Sequence, residues 1–223
     1  MSLRPSALIF DMDGVIADSE PIHIRTERET FLPYGISLSD DELCSFVGSN
    51  LQVVVKTVVA RYRIRVDADR LFKDHKASLL KNMQDGLQPI DGSLDLIRAL
   101  SGTAVPLAVA SSSFMDLIRL VLRKFQIESC FHSVVCGDDV HRSKPHPDIF
   151  LETARRLGLP PEECLVIEDS TNGIKAAKAA RMACIGLRSP NSHNQDLSGA
   201  DRTADDFHAV RSELVRSFGF VIG

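Results

Sequence analysis

The chain has 223 residues, 44% hydrophobic and 25% charged, with a formal net charge of −4. That length accommodates one or two domains, and the slightly acidic balance leaves no basic footprint for nucleic acid. No uninterrupted apolar run approaches the roughly 20 residues of a membrane span, and Met1-Ser2-Leu3-Arg4-Pro5-Ser6 lacks the apolar stretch of a signal peptide.

The first predicted element is a buried strand, Ala7-Leu8-Ile9-Phe10, continuous and apolar. Asp11 and Asp13 follow at i and i+2, which puts them on one face of an extended segment. Carboxylates that close do not both ionise without a counter-charge. Such a pair holds a cation or divides nucleophile and acid–base work, and the plainer alternative is a D-x-D-G turn.

Helical patterns come next. They run from Pro21 to Leu32, broken at Pro33-Tyr34-Gly35, and restart at Ser39, where Glu42 completes a capping box. Leu51 to Tyr62 and Ala68 to Met83 complete the set, although the β-branched run Leu51-Gln52-Val53-Val54-Val55 also reads as a strand. From Gly92 onward the pattern alternates. Helices fall near 92–101, 114–125, 147–158 and 171–181, and strands at 105–110, 133–136, 164–168 and 183–187. Alternation of this kind predicts a parallel sheet with crossover helices. Thr203 to Phe218 reads as a last surface helix.

Three more strand ends carry polar residues, where open α/β sheets bind ligands. Ser111 ends one strand, and a hydroxyl beside the first amides of a helix suits a phosphate. Ser112 and Ser113 read as N-caps of that helix. Lys144 stands before Pro145 in Ser-Lys-Pro-His-Pro-Asp, held extended and able to aim a cation inward. Pro147 and Asp148 suit the first turn of a helix. Glu168 and Asp169 end the strand Leu165-Val166-Ile167, with Ser170 as the next helix cap. Asp169 near Asp11 and Asp13 would complete an oxygen set suited to Mg²⁺. The five cysteines, Cys44, Cys130, Cys136, Cys164 and Cys184, form no C-x-x-C pair and read as reduced core residues of a cytoplasmic protein.

With its four motifs in order, the chain resembles the haloacid dehalogenase-like hydrolases, in the helical-cap subgroup of phosphatases and β-phosphoglucomutases. The words F-D-M-D-G-V-I-A-D-S-E, S-K-P-H-P-D-I-F and E-D-S-T-N-G-I carry the resemblance. It implies an α/β fold with a Rossmann-like parallel-sheet core, residues 1–17 and 88–223, and an inserted four-helix cap, residues 18–87, in which 51–62 is helical. It also implies an aspartyl-phosphate mechanism with Asp11 as nucleophile, Asp13 as acid–base, and Ser111 and Lys144 on the phosphate. Mg²⁺ would be held by Asp11, Asp13 through its backbone carbonyl, Glu168 and Asp169, with Glu168 bound through water or orienting the site.

His23 and Lys81 match positions of the mutase, and Ser112 falls beside the phosphate. The mutase cap loop carries Gly-x-Ser-Arg, however, and here the loop is Gly48-Ser49-Asn50-Leu51, without the bidentate guanidinium that grips a second phosphate. Phe114 replaces the family's lysine after the second motif. The expected activity is therefore a Mg²⁺-dependent phosphatase of a small phosphorylated sugar or polyol, with His23, Gly48, Asn50, Lys81 and Ser112 touching substrate. The alternatives are a β-phosphoglucomutase-type mutase and a catalytically silent metabolite-binding protein. The chain is expected to be a cytoplasmic monomer or weak homo-oligomer that binds neither nucleic acid nor membrane.

Overall fold

The computed structural model describes residues 5–46, 49–191 and 195–222. Its centre is a six-stranded parallel sheet, in the order β5-β4-β1-β6-β7-β8. The strands are β1 (Ala7–Phe10), β4 (Leu107–Ala110), β5 (Ser133–Val135), β6 (Cys164–Glu168), β7 (Ala183–Leu187) and β8 (Arg202–Ala204). Helices α5 (Ser93–Ser101), α6 (Met115–Lys124), α7 (Asp148–Leu157), α8 (Thr171–Ala179) and α9 (Phe207–Arg216) connect or follow them.

Strand β1 reads as an unbroken apolar run because both faces of the sheet are covered. Leu8 and Phe10 enter one apolar cluster, while Ala7 and Ile9 enter the other. The strand order reverses about β1, which pairs with β4 on one side and β6 on the other. The carboxyl end of β1 is therefore the topological switch point, where such sheets bind ligands.

Among the described residues, four α-helices lie between β1 and α5: α1 (Glu20–Phe31), α2 (Asp40–Phe46), α3 (Leu51–Tyr62) and α4 (Ala68–Gly86). Their two connections to the sheet pair as a short antiparallel ribbon, β2 (Ala17–Asp18) with β3 (Gln88–Pro89). The capping box at the start of α2 is present, with Glu42 N–H donating to Ser39 Oγ and Ser39 N–H donating to Glu42 Oε2. Residues 51–62 are helical despite the valine run. Asn50 caps α3 by accepting from Gln52 N–H at 2.8 Å, and Leu51, Val54, Val55 and Val58 face inward. Tertiary burial of that stripe overrides the modest helix cost of β-branching.

Two elements differ from expectation. Residues 203–218 are not one helix, because β8 occupies 202–204 and α9 begins after Asp206, which accepts from Ala209 N–H at 2.7 Å. A three-residue edge strand is too short to show a period. Nor is α9 simply a surface helix, since Phe207, Val210 and Leu214 are buried. The ribbon β2–β3 likewise escaped sequence reading, at two residues per strand.

Buried inside the helical insertion is His75. Thr30 Oγ1 donates its one proton to the Thr26 carbonyl, so His75 Nδ1, 2.8 Å away, is the donor to Thr30. That tautomer leaves Nε2 as an acceptor with no hydrogen-bond partner among the described residues. Burial pushes the imidazole down to about 4, and the charge of His23 adds to the effect. A histidine whose folded value is depressed takes up protons preferentially when unfolded. Its stabilisation is present above the ordinary value near 6.5 and is lost as pH falls toward 4. The cost reaches about 3 kcal/mol at the lower limit. Thermal melting at pH 7 and pH 4.5 is expected to show a clear loss in the wild type and a smaller one in His75→Phe. Parallel slopes in the two proteins would remove His75 from the acid sensitivity.

Candidate active site

Asp11 leaves β1 with its backbone N–H donating to the Ile167 carbonyl, and its side chain is almost wholly buried. Lys144 Nζ donates to Asp11 Oδ1 at 2.7 Å, to Glu168 Oε1 at 2.6 Å and to the Ala110 carbonyl at 3.3 Å. Burial pushes the Asp11 carboxyl up, against the pull of Lys144, and the charges of Glu168 and Asp13 push the same way. The ammonium stays charged because two carboxylates outweigh its desolvation.

Glu168 is completely buried, and its second oxygen accepts from Ser170 N–H and Ser170 Oγ, both at 2.9 Å. Ser170 also caps α8 by accepting from Gly173 N–H. A Cβ on Gly173 would collide with the Glu168 carboxylate, so only glycine lets the helix start against it. Gly14 plays the same part for Asp169, whose carboxylate would collide with a Cβ there, and its φ of +77° also favours glycine.

Asp13 is held quite differently. Its Oδ1 accepts from Ser19 Oγ at 2.7 Å and lies 3.2 Å from His23 Nε2. Its Oδ2 accepts from Ser113 Oγ at 2.8 Å and Ser111 Oγ at 3.2 Å. Burial pushes this carboxyl up, but the bonds from His23, Ser19 and Ser113 outweigh it and hold the group down at about 2. His23 moves the other way, up to about 9, because Asp13 outweighs desolvation. Neighbouring carboxylates at i and i+2 therefore sit in opposite environments, the signature of divided acid–base roles.

Asp11, Asp13, Ser112 and Ser113 floor a cleft roofed by α1, α2, the start of α3 and α4. Ser112 lines it with a buried hydroxyl that has no partner among the described residues. Neither Ser112 nor Ser113 caps α6, contrary to expectation. The cap residue is Phe114, and Ser113 is spent on Asp13.

Other expected substrate contacts are placed elsewhere. Lys81 is exposed and does not line the cleft. Helix α4 turns Leu79 and Met83 inward, and a residue midway between them falls on the opposite side. Asn50 does not line the cleft either. It caps α3 and donates from Nδ2 to the Ser112 carbonyl at 3.3 Å, which ties the helical insertion to the sheet. Gly48 lies outside the described residues. Sequence reading missed Ser19, Ser113, Glu20 and Glu27. The only available signal was that Glu20, His23 and Glu27 recur at helical spacing.

A family model described as haloacid dehalogenase-like hydrolase matches residues 8–187. The chain belongs to that family. Among curated proteins, fructose-1-phosphate phosphatase YqaB of Escherichia coli (strain K12) is 31% identical over 185 residues, covering 83% of this chain and 97% of the relative. Hexitol phosphatase B of the same organism is 30% identical over 190 residues, covering 84% and 86%. Among solved structures, a mutant of CbbY from Rhodobacter sphaeroides in complex with xylulose-(1,5)bisphosphate has a TM-score of 0.81 at 27% identity, covering 91% of this chain and 95% of that one.

As a haloacid dehalogenase-like hydrolase the chain is an enzyme, and the donor set of its site fits a divalent cation. Asp11, Glu168 and Asp169 each offer a carboxylate oxygen within 4.8 Å of the others, all buried. A buried, all-oxygen donor set of this kind suits a hard ion.

Proposed function

We propose that this enzyme is a Mg²⁺-dependent phosphatase of a small phosphorylated sugar or polyol, working through an aspartyl-phosphate on Asp11. The observation that carries the reading is the contrast between the two aspartates. Asp11 lies under Lys144 beside the acidic cluster, whereas Asp13 is clasped by three hydroxyls and His23. The names of the relatives, fructose-1-phosphate and hexitol phosphatases, favour the same substrate class.

In this reading the Asp11 carboxylate attacks phosphorus, an O–P bond forms, and the ester O–P bond breaks. The leaving oxygen needs a proton. Asp13 alone is held ionised, but the Asp13–His23 pair carries one proton, which passes through Asp13 to the leaving alkoxide. Water then attacks the phosphoryl group, its proton returns to the pair, and Asp11 is freed with release of inorganic phosphate. Ser111, Lys144 and the unpartnered hydroxyl of Ser112 are assigned to the phosphoryl oxygens. Mg²⁺ would be held by Asp11, Asp169 and the Asp13 carbonyl, with Glu168 behind Lys144 as the orienting group. When bound, it would offset negative charge on the transferring phosphoryl group.

We assign residues 18–87 as the cap and 1–17 with 88–223 as the core, a division supported by the paired crossings at β2 and β3. A cytoplasmic setting is favoured by the free thiols Cys130, Cys136, Cys164 and Cys184. No helix among the described residues is long and apolar enough to cross a membrane.

The reading is tested by phosphate release from a panel of sugar and polyol phosphates, with Mg²⁺ and with EDTA. β-Glucose 1-phosphate is followed in parallel for glucose 6-phosphate. Metal-dependent phosphate release without isomer is the expected result, and isomer formation outpacing release would transfer the assignment to a mutase.

Mg²⁺ itself is expected to raise the melting temperature. At a hundred times its Kd, it adds about 2.7 kcal/mol, or roughly 5–10 °C at this chain length. Asp169→Asn is expected to lose most of the shift. A wild-type melting point indifferent to millimolar Mg²⁺ would refute the metal assignment.

A further inference from the structure

Glu20, His23 and Glu27 stand three and four residues apart on α1 and so share one face, which lines the cleft. His23 reaches Asp13 at 3.2 Å. Glu27 is one turn farther on, about 6 Å at the helical rise per residue. It is therefore set beyond the reacting end of the cleft. Its side chain is buried, with the residue 6% exposed, and it makes no hydrogen bond or ion pair among the described residues. Burial pushes its carboxyl up to about 7, with the charge of His23 opposing the rise.

The carboxyl is largely shielded from bulk water yet lines the cleft, so a ligand donor placed there finds an acceptor that no protein group has claimed. Such a group persists at an enzyme cleft when a ligand completes it. The remaining wall around it is apolar, formed by Leu43, Phe46, Leu51, Val54, Leu79 and Phe114. No lysine or arginine lines the cleft among the described residues, and its one histidine is committed to Asp13. A second phosphate placed here would meet the Glu27 carboxyl and, among the described residues, no lysine or arginine. A hydroxyl would bring a donor and no charge.

We propose that Glu27 sets the specificity of this cleft. Its carboxyl accepts hydrogen bonds from hydroxyls at the non-phosphorylated end of a polyhydroxylated monophosphate, and it turns away substrates carrying a second phosphate. The inference rests on the phosphatase reading above and deepens it.

The test uses three substrates: a hexitol or hexose monophosphate, the corresponding bisphosphate, and phenyl phosphate, which has no hydroxyl groups. Wild-type kcat/KM is expected to favour the monophosphate over the bisphosphate by about tenfold or more. In Glu27→Leu, the ratio of kcat/KM on the monophosphate to that on phenyl phosphate falls by about tenfold or more, the value of one hydrogen bond to a charged group. The fall comes through KM more than kcat. Glu27→Gln keeps an acceptor oxygen and holds the ratio within about threefold. Both variants remove a buried charge and are expected to melt at or above the wild type.

A ratio that stays put in Glu27→Leu overturns the inference, whether both activities fall together or neither moves. Wild-type preference for the bisphosphate overturns it as well. If the wild type hydrolyses phenyl phosphate but the ratio stays put, only the role of Glu27 is lost. If it hydrolyses no phosphate ester at all, the phosphatase reading and the inference fall together.

Discussion

Asp11→Asn is expected to lower kcat by on the order of 10⁴-fold or more, as removal of a covalent nucleophile does, while the protein stays folded. The two effects separate because of where Asp11 sits. Its carboxyl is pushed up by burial and by Glu168 and Asp13, against Lys144. A group whose folded value is raised contributes stability below its ordinary value near 3.8 and loses it as pH rises. At neutral pH in EDTA, the fold holds this carboxyl protonated while the unfolded chain leaves it ionised, so the group is a burden on the fold. Asparagine keeps the shape, keeps an acceptor for Lys144, and does not ionise. The variant is expected to melt at or above the wild type in EDTA, to form no phosphorylated protein on mixing with substrate, and to release no phosphate. Substantial residual turnover would dismiss Asp11 as nucleophile. Lost activity with a collapsed melting curve would show that the substitution tested the fold instead.

How much of this was legible in the sequence depends on the range of the interaction that places each residue. Asp11, Ser111, Glu168 and Asp169 each follow a short apolar run, and Lys144 stands just before a proline. That local pattern marks a strand end, and parallel strands bring their ends together on one edge. The convergence of Ser19 and Ser113 on Asp13 has no such local mark. They are 6 and 100 residues away from it, and a serine before a helix looks the same whether it caps the helix or reaches across the site. Lys81 shows the reverse limit. A residue type matched by position says nothing of helix phase, and the phase of α4 was set by Leu79 and Met83 against the core. Glu27 was missed because a glutamate on an amphipathic helix reads as solvated. Only the packing of α1 against α4 and over the cleft shows it to be buried.

Lys144→Met is expected to be the most destabilising single change in the site. The lysine side chain is 1% exposed, against 7% for Asp11 and 0% for Glu168, and it holds one oxygen of each. Its removal leaves Asp11 and Glu168 facing each other without the ammonium that holds them. Breaking a buried ion pair from one side costs about 3–5 kcal/mol, which at this length is roughly 6–20 °C of melting temperature.

Methionine fills much of the volume of the lysine stem, so the loss is electrostatic in origin, and two further measurements should say so. First, the unpartnered carboxylates acquire raised folded values, so the variant recovers stability by protonation as pH falls. Its deficit against the wild type in EDTA is expected to be larger at pH 8 than at pH 5. Second, Mg²⁺ no longer competes with an ammonium for the same oxygens, so its stabilising shift is expected to be larger in Lys144→Met than in the wild type. Turnover would still be lost, because a cation restored at the carboxylates does not replace the ammonium assigned to the phosphoryl oxygens. A deficit that ignores both pH and Mg²⁺ would mean that Lys144 supports the site by packing against Phe150, 5.1 Å from its ring centre, and not by its charge.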